Sequence, residues 1–350
     1  INTLVAATAG TTLLGRPPLP ALAAQSPYYT IVPTGTVSDK EARLVEVIKK
    51  YEKTPDDPYA FGEKAQLQYD LTQLRANRAY ATQLSRGVAA GEQRFLQGLT
   101  VNVPEMEAAV SFWQGGMGAQ VLDTRLVAGA NVTRVGFGSQ SLNAEDGAKF
   151  TLELVEAAGQ PATAAGGVVE YVQLALPVFR ISKVMEFGGD ILSAYGWTEL
   201  IAPGGLPLRV HIDEKRRDPF EFVALRTNSM ERATAHLQGL GMRVTDVKNA
   251  KKINTKASFL TSNSIFESDD ATVPEREVGA TLLSFDDPKL CTGCLLLPPR
   301  SKKKLTTPPP PTQLRVVGGL PDAGAPTVSP DGLPAAFVSA ADFEAAVKKA

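Results

Sequence analysis

A pattern of strand, helix, glycine turn and strand occurs three times, and it constrains the fold more than any other feature. The copies are LTVNVPEMEAAVSFWQGGMGAQVLDTRLV, YVQLALPVFRISKVMEFGGDILSAYGWTEL and FVALRTNSMERATAHLQGLGMRVTDV. In each copy a strand-like run ends at a polar or proline turn, and a helix with a two-turn apolar face follows. Gly118, Gly189 and Gly241 then suit the left-handed position at a helix C-terminus. One copy cannot bury its sheet face alone, so the copies are expected to pack together.

Further strand-like runs complete two of the copies. NVTRVGFGS and KFTLELVEA follow the first copy, and ASFLTSNSIF, GATLLSFDDP and CTGCLLLPP follow the third. After the second copy, LPLRVHIDE is the one late strand before the next unit begins. We therefore predict an α+β fold in which repeated βαβββ modules form curled mixed sheets. The predicted boundaries are 96–165 for the first module, 166–217 for a compressed second module and 218–299 for the third.

The regions on either side of the modules have different sequence patterns from the modules. Residues 25–95 are predicted to form an extended arm and a helical hairpin, with a capping box at Ser38 and a second helix from about Pro58 to Arg86. Residues 300–350 are predicted to form a basic, proline-rich linker (RSKKK, then LTTPPPP) and a tail with a short amphipathic helix in FVSAADFEAAVKKA.

Residues 1–24 are interpreted as a signal-like or anchor segment. INTLVAATAGTTLLG carries no charge, and Ala21 and Ala23 fit the small-residue rule for signal cleavage. The composition resembles the second half of a bipartite thylakoid-lumen targeting sequence. The expected location is the chloroplast, in the thylakoid lumen or at the lumenal surface of the membrane. No other stretch is apolar enough to be expected to span a bilayer.

Charge and ligand-type residues exclude some classes of function. The formal net charge of −1 argues against a nucleic-acid partner, which requires a broad basic surface. The two histidines, His211 and His236, leave few choices for zinc, haem or a catalytic base. Both are interpreted as packed or surface residues rather than metal ligands.

The three copies resemble the vicinal oxygen chelate superfamily, which includes glyoxalase I and related dioxygenases. The best local matches are NVPEMEAAVSFW, LRTNSMERATAHLQGLGMRV and SFDDPKLCTGCLLL. The resemblance implies that paired modules curl into a half-barrel. It also implies a divalent metal held by His, Gln or Glu side chains on first and fourth strands, where the ion would polarise substrate oxygens.

The sequence departs from the family at several of these positions. The first-strand positions hold Gly98, Tyr171 and Phe222, none of which is a usual metal ligand. The fourth-strand position holds Glu153 in the first copy and Cys294 or its neighbour in the third. The departures predict that the chain binds no cofactor.

Glu153 is therefore the best single candidate for a catalytic or metal-binding residue, and Gln173 is a weaker candidate for a metal ligand. The favoured hypothesis is a non-catalytic accessory or scaffold subunit of a protein complex at a thylakoid membrane, contacting its partner through residues 25–95 and 300–350. The alternative is a metal-dependent lyase, isomerase or dioxygenase of glyoxalase type, with a degenerate or rearranged metal site.

The chain's two cysteines, Cys291 and Cys294, form a C-x-x-C motif within the strand-like segment that closes the third module. Residues three apart in a regular strand point to opposite faces, and no second C-x-x-C could complete a zinc site. We interpret them as two small buried side chains. A single disulfide between them is the alternative.

Overall fold

A computed structural model of the chain describes a little over half of its length. The described residues are 37–52, 64–76, 94–138, 150–159, 167–181, 183–194, 198–213, 216–245, 279–286, 291–299, 305, 312–317, 327–339, 341–343 and 345. The chain divides into two compact units, residues 1–64 and 65–350. The signal-like segment 1–24 lies outside the described residues.

In the first unit, helix α1 covers Val37–Glu52. Leu44, Val47 and Ile48 are buried and lie on one side of the helix, at the spacing of an amphipathic helix. Lys49 and Lys50 lie in the last turn, where positive charge is favourable for the helix dipole. The helix begins at Val37, one residue before Ser38, where the sequence predicts a capping box.

Helix α2 covers 64–76, of which residues 65–76 belong to the second unit. The described residues of this unit also form fifteen strands. Of the second predicted helix, from about Pro58 to Arg86, the structure describes 64–76. The helices between strands are α3 (Met106–Ser111, continued by a π turn over Phe112–Gly116), α4 (Val178–Ile181) and α5 (Met230–Gly239). The strands are β1 Phe95–Val103, β2 Gln120–Val127, β3 Ala130–Gly136, β4 Thr151–Glu156, β5 Val169–Leu176, β6 Asp190–Ala194, β7 Thr198–Ile201, β8 Pro207–Ile212, β9 Phe220–Arg226, β10 Arg243–Val244, β11 Thr281–Ser284, β12 Gly293–Leu297, β13 Gln313–Val317, β14 Thr327–Val328 and β15 Pro334–Val338.

The strands follow one pairing rule three times. In β1–β4, β5–β8 and β9–β12, the first strand pairs in parallel with the fourth, which pairs antiparallel with the third, and the third with the second. Helices α3, α4 and α5 connect the first and second strands. The predicted α+β class with repeated βαβββ modules is confirmed, and the short second module has all four strands.

Strands β13, β15 and β14 repeat part of the same pattern, because β13 pairs in parallel with β15 and β15 pairs antiparallel with β14. We describe them as a partial fourth module. They lie within residues 300–350, where the sequence suggested a linker and tail. The predicted tail helix does not extend over Phe337, which lies in β15, although 341–343 is helical.

The modules pair into two sheets through their first strands. The first sheet has the order β14-β15-β13-β1-β4-β3-β2, joined by the antiparallel pair β1 and β13. The second sheet has the order β10-β11-β12-β9-β5-β8-β7-β6, joined by the antiparallel pair β5 and β9. The first and partial fourth modules therefore share one sheet, and the second and third modules share the other.

One main apolar core draws side chains from both sheets. Phe220, at the start of β9, is fully buried, and its ring centroid lies 5.9 Å from Trp113, 5.3 Å from Phe137 and 4.9 Å from Phe150. Those three residues belong to the first module, whereas Phe220 belongs to the third. Aromatic pairs at such separations add to the stabilisation from area burial alone.

Next to Phe220, the buried Asp218 connects the two sheets by hydrogen bonds. Its Oδ2 accepts from the backbone N–H of Phe150 at 2.8 Å and from Thr292 Oγ1 at 3.1 Å, and its Oδ1 accepts from the N–H of Phe220 at 3.1 Å. Phe150 precedes β4 in the first sheet, whereas Thr292 precedes β12 in the second.

Glycines with positive φ end two of the predicted helical segments. Gly118 has φ +81° and Gly241 has φ +101°, as the sequence predicts. In the second module the left-handed residue is Gly188, at φ +85°, rather than the predicted Gly189. Gly188 directly follows the 3-10 turn that ends at Phe187, so the chain reverses one residue earlier than predicted.

Across the described residues, no helix has both the length and the apolar character that crossing a bilayer requires.

We predict that Asp218→Ala lowers the free energy of unfolding by at least about 2 kcal/mol, because buried donors lose a charged acceptor. Urea denaturation would measure this change. Asp331→Ala is the matched control, because Asp331 also accepts two hydrogen bonds, from Asn228, but is partly exposed. Equal losses of stability for the two variants would contradict the role given to Asp218.

Candidate functional site

The face of the first sheet that points away from the main core carries a row of polar and charged side chains. Register places Asp123 of β2 opposite Arg134 of β3, Arg134 opposite Glu153 of β4, and Glu153 opposite Thr100 of β1. Neighbours in a sheet point to the same side when they are directly opposite, so these four side chains share one face.

Glu153 is the centre of a cluster of charged side chains. Arg125 Nη2 donates to its Oε2, Arg315 Nη1 lies 2.8 Å from the same oxygen, and Arg134 Nη2 lies 3.7 Å from it. Arg125 also binds both carboxylate oxygens of Asp123, at 2.7 and 3.0 Å. We call these five residues, Asp123, Arg125, Arg134, Glu153 and Arg315, the charged face.

Gly98 explains how Arg315 of β13 reaches Glu153 across β1. Arg315 lies opposite Gly98, which in turn lies opposite Thr151 of β4. Because Gly98 has no side chain, nothing projects from β1 at that register position. A Cβ there would lie only 2.6 Å from the carbonyl oxygen of Thr151, so larger residues are excluded.

The three arginines keep Glu153 ionised. Burial acts to raise the pKa of Glu153, but Arg315, Arg125 and Arg134 outweigh it and hold the pKa below its ordinary value. The carboxylate is thus a counter-ion for guanidinium groups. Three cations around one carboxylate repel a divalent ion, so the residues at Glu153 do not fit a metal centre.

The second sheet carries a different polar group on its corresponding face. Gln173 of β5 and His211 of β8 share this face, because Gln173 pairs with Arg209 and Ala175 pairs with His211. The register between β5 and β9 shifts at Gln173 and Leu174, leaving Glu221 between Phe220 and Phe222 without a partner of its own. Such a β-bulge re-aims a side chain, here toward Gln173.

Gln173, His211 and Glu221, which we call the buried triad, meet at one oxygen. Glu221 Oε2 accepts from Gln173 Nε2 at 2.6 Å and lies 3.0 Å from His211 Nδ1. Arg216 Nη1 lies 3.9 Å from the other oxygen, Oε1. Burial acts to raise the pKa of Glu221, but His211, Arg216 and Gln173 together hold it below its ordinary value.

The residue types of the buried triad fit a metal centre, whereas the charge of its surroundings opposes one. Carboxylate, imidazole and amide oxygen are the ligand types that the resemblance to the vicinal oxygen chelate superfamily implies, and three protein ligands suffice for a catalytic ion. Gln173 Oε1 is buried and has no hydrogen-bond partner within the described part of the chain. Arg216, however, already compensates part of the negative charge of Glu221. No group of three or more His, Cys, Asp or Glu residues capable of holding a metal occurs in the described ranges.

The sequence-predicted candidates thus fall into separate clusters. Glu153 contacts the arginines of the first sheet, and Gln173 contacts Glu221 in the second sheet. Tyr171 and Phe222, at the implied first-strand positions, belong to a small apolar cluster on the second sheet with Leu282, Leu295 and Leu297. The guanidinium carbon of Arg209 lies 4.1 Å above the Tyr171 ring. His236 is half-buried on α5, with its pKa lowered by burial.

Neither cysteine forms a disulfide in this structure, and both are buried. Burial raises the pKa of Cys291 to about 11 and that of Cys294 to about 12. Cys294 belongs to the main apolar core. Neither thiol is therefore set up as a nucleophile at neutral pH.

Comparison with solved structures identifies the fold. Glyoxalase I from Zea mays superposes with a TM-score of 0.53 at 16% identity, over 74% of this chain and 96% of that one. A point-mutant structure of the same enzyme gives 0.53 at 16% identity, over 77% and 99%. A putative dioxygenase from Bacillus subtilis gives 0.47 at 11%, over 71% and 86%. No family model and no curated protein matches the sequence.

The chain has the vicinal oxygen chelate fold. The matched glyoxalase I structures and the paired βαβββ modules agree on this point. Within this fold, Glu153 lies on the fourth strand of the first module, and Arg315 lies on β13, the first strand of the partial fourth module. The other members of the charged face lie on β2 and β3. The buried triad lies on the first strands β5 and β9 and the fourth strand β8. At 16% sequence identity, the similarity establishes the fold of this chain but not the reaction, if any, that it catalyses.

Sequence reasoning missed most partners in both clusters. His211 was interpreted as a packed or surface residue, and Glu221 lies one residue before the predicted position Phe222. Arg125 and Arg134 could have been found by pairing the strands after α3, because Arg134 lies opposite Asp123 and Arg125 lies two residues after Asp123 on the same face. No local signal indicated Arg315, which is 162 residues from Glu153.

We predict that Glu153→Gln lowers the free energy of unfolding at pH 7 by about 3 kcal/mol, since three guanidinium groups lose their shared anion. Because the folded-state pKa is lowered, Glu153 stabilises the fold fully above its unfolded-state pKa, and this stabilisation is lost as pH falls through the folded-state pKa. The difference between wild type and variant should shrink in acid. Urea denaturation at several pH values measures it. The exposed Glu186→Gln is the control, and a Glu153→Gln effect no larger than its effect would refute the prediction.

We also predict that neither Cys291 nor Cys294 reacts with a thiol reagent in the native protein, and that both react in denaturant. Burial and the raised pKa values are the reason. Mass spectrometry of the labelled protein counts the modified thiols. A native mass lower by two hydrogens, with no labelling in denaturant, would instead establish the disulfide.

Proposed function

We propose that the chain is a non-catalytic protein of the vicinal oxygen chelate fold, acting as an accessory or scaffold subunit of a protein complex at a thylakoid membrane. The observation that carries the proposal is the charge compensation of Glu153 by Arg125, Arg134 and Arg315. At the position where the family would place an acidic metal ligand, this chain has an anion that is already neutralised.

Features outside the modules support the accessory role. The sequence adds an N-terminal region with two helices and a signal-like segment at 1–24. Partner contacts are proposed through residues 25–95 and 300–350, which include the basic run Arg300–Lys304. The strands β13–β15 pair within the first sheet, so contacts from 300–350 would involve residues outside these strands or the exposed side of β14.

A second candidate function is supported by the buried triad. If Gln173, His211 and Glu221 held a divalent ion, the ion would polarise adjacent oxygens of a small substrate, as in a lyase, isomerase or dioxygenase of glyoxalase type. Glu221 would supply the negative charge, and His211 and Gln173 would orient it through the contacts that they already make.

Metal analysis of the purified full chain separates the two functions. We predict a content well below one Ni, Zn, Mn or Fe ion per chain for the wild type, because Arg216 already compensates part of the negative charge of Glu221. Elemental mass spectrometry after dialysis measures it. One ion per chain that is lost in Glu221→Gln and retained in Glu153→Gln would overturn the non-catalytic proposal in favour of the second candidate.

The accessory role predicts that tagged protein migrates with a thylakoid complex on a density gradient and is protected from protease in intact thylakoids. Lys302, Lys303 and Lys304 changed together to Gln should release it, because an acidic partner face loses its counter-charge. A deletion of 37–52 tests the N-terminal contact. Deleting 300–350 is unsuitable, because it removes β13 from the first sheet. Free migration of the wild type, or its recovery outside thylakoids, would refute the proposal.

A further inference from the structure

The charged face carries more positive than negative groups among the described residues. Arg125, Arg134 and Arg315 supply three guanidinium groups, whereas Asp123 and Glu153 supply two carboxylates. All five side chains lie on one side of the first sheet, on β13, β4, β3 and β2, and β1 lies between β13 and β4. The face is therefore a small cationic area within a chain whose net charge is −1.

The excess positive charge is accessible to solvent. The side chain of Arg125 is 34% exposed, that of Arg315 is 21% exposed and that of Asp123 is 20% exposed, whereas that of Glu153 is only 10% exposed. An incoming molecule thus meets the guanidinium groups of Arg125 and Arg315 before it meets the Glu153 carboxylate, and the exposed carboxylate of Asp123 is already paired with Arg125. Of the described residues, Glu153 alone pairs with Arg315, and it does so through one terminal nitrogen, Nη1.

The neighbouring arginines disfavour the charged form of Arg134, whereas for Arg125 the effect of burial is outweighed by Glu153 and Asp123, which raise its pKa. The pKa of Arg134 is lowered, by burial first, while Asp123 acts to raise it and the neighbouring Arg315 and Arg125 act to lower it further. A bound anion would offset this mutual repulsion. Guanidinium groups suit the purpose because they bind planar or tetrahedral oxyanions through paired N–H donors.

We propose that the charged face binds a small oxyanion, a carboxylate or phosphate group of a soluble molecule, with Arg125 and Arg315 as the groups that contact it. Glu153 and Asp123 hold the guanidinium groups in place, so that the site is largely formed before the ligand arrives. Thr100 Oγ1, at 3.4 Å from Glu153 Oε1, fixes the other side of the central carboxylate. The anion occupies the face on which a metal-dependent relative would hold its ion. The proposal does not depend on the accessory role.

Calorimetric titration of the full chain with inorganic phosphate and, separately, with malonate tests the proposal at constant ionic strength set with sodium chloride. We expect saturable binding of at least one of them, and the preferred anion tells phosphate from carboxylate recognition. Arg125→Gln and Arg315→Gln should each weaken binding at least about tenfold, since each removes a charge-assisted contact. Arg232→Gln, an exposed arginine on α5, should bind as the wild type does.

The result for the wild-type protein comes first. If neither anion binds to it saturably, the proposal is overturned. Equal weakening by Arg232→Gln also overturns it, since the effect would then be one of net charge. If Arg315→Gln does not fold, Arg315→Lys replaces it and retains a cation beside Glu153. Weaker binding by that variant supports the site, and wild-type affinity refutes it.

Discussion

The first strand of each module must be paired on both of its edges, and this requirement organises the whole second unit. Within a module the fourth strand covers one edge of the first, as β4 covers β1 and β8 covers β5. The other edge would present unpaired backbone groups to solvent. A second module removes this liability, through β13 for β1 and through β9 for β5. The two sheets, the main core between them and both polar faces follow from these two antiparallel junctions.

The same junctions bring charged groups together from distant parts of the chain. Arg315 can reach Glu153 only because β13 lies beside β1 and because Gly98 leaves the intervening strand without a side chain. In the second sheet, the junction of β5 and β9 contains the bulge that turns Glu221 toward Gln173 and His211. In one sheet the central carboxylate meets three guanidinium groups, whereas in the other it meets an amide, an imidazole and a single guanidinium. Similar backbones therefore present different chemistry.

The modules could be predicted from the sequence, but the way in which they pair could not. Helix-entry turns and glycines are local signals, and they predicted three βαβββ copies and placed Glu153 on a fourth strand. The strand Gln313–Val317 has five residues and follows a run of prolines, so composition alone indicated a linker. Counting residues back from a helix entry to find a ligand position assumes a regular strand. Because β9 has a bulge at Glu221, the count indicated Phe222 instead of Glu221. Asp218 and Arg315 act through contacts 68 and 162 residues away, which no local pattern encodes.

In the sequence, the strands of the second sheet lie between the two parts of the first sheet, and this order affects folding during synthesis. The second sheet uses consecutive modules, from Val169 to Leu297, and can assemble once that stretch has left the ribosome. The first sheet is formed by Phe95–Glu156 and by β13–β15. Because more than a hundred residues are synthesised between these two parts, one edge of β1 remains unpaired during that time. During that interval the exposed backbone of β1 is a target for incorrect partners. A nascent chain of this architecture has most need of a chaperone before its last strands emerge.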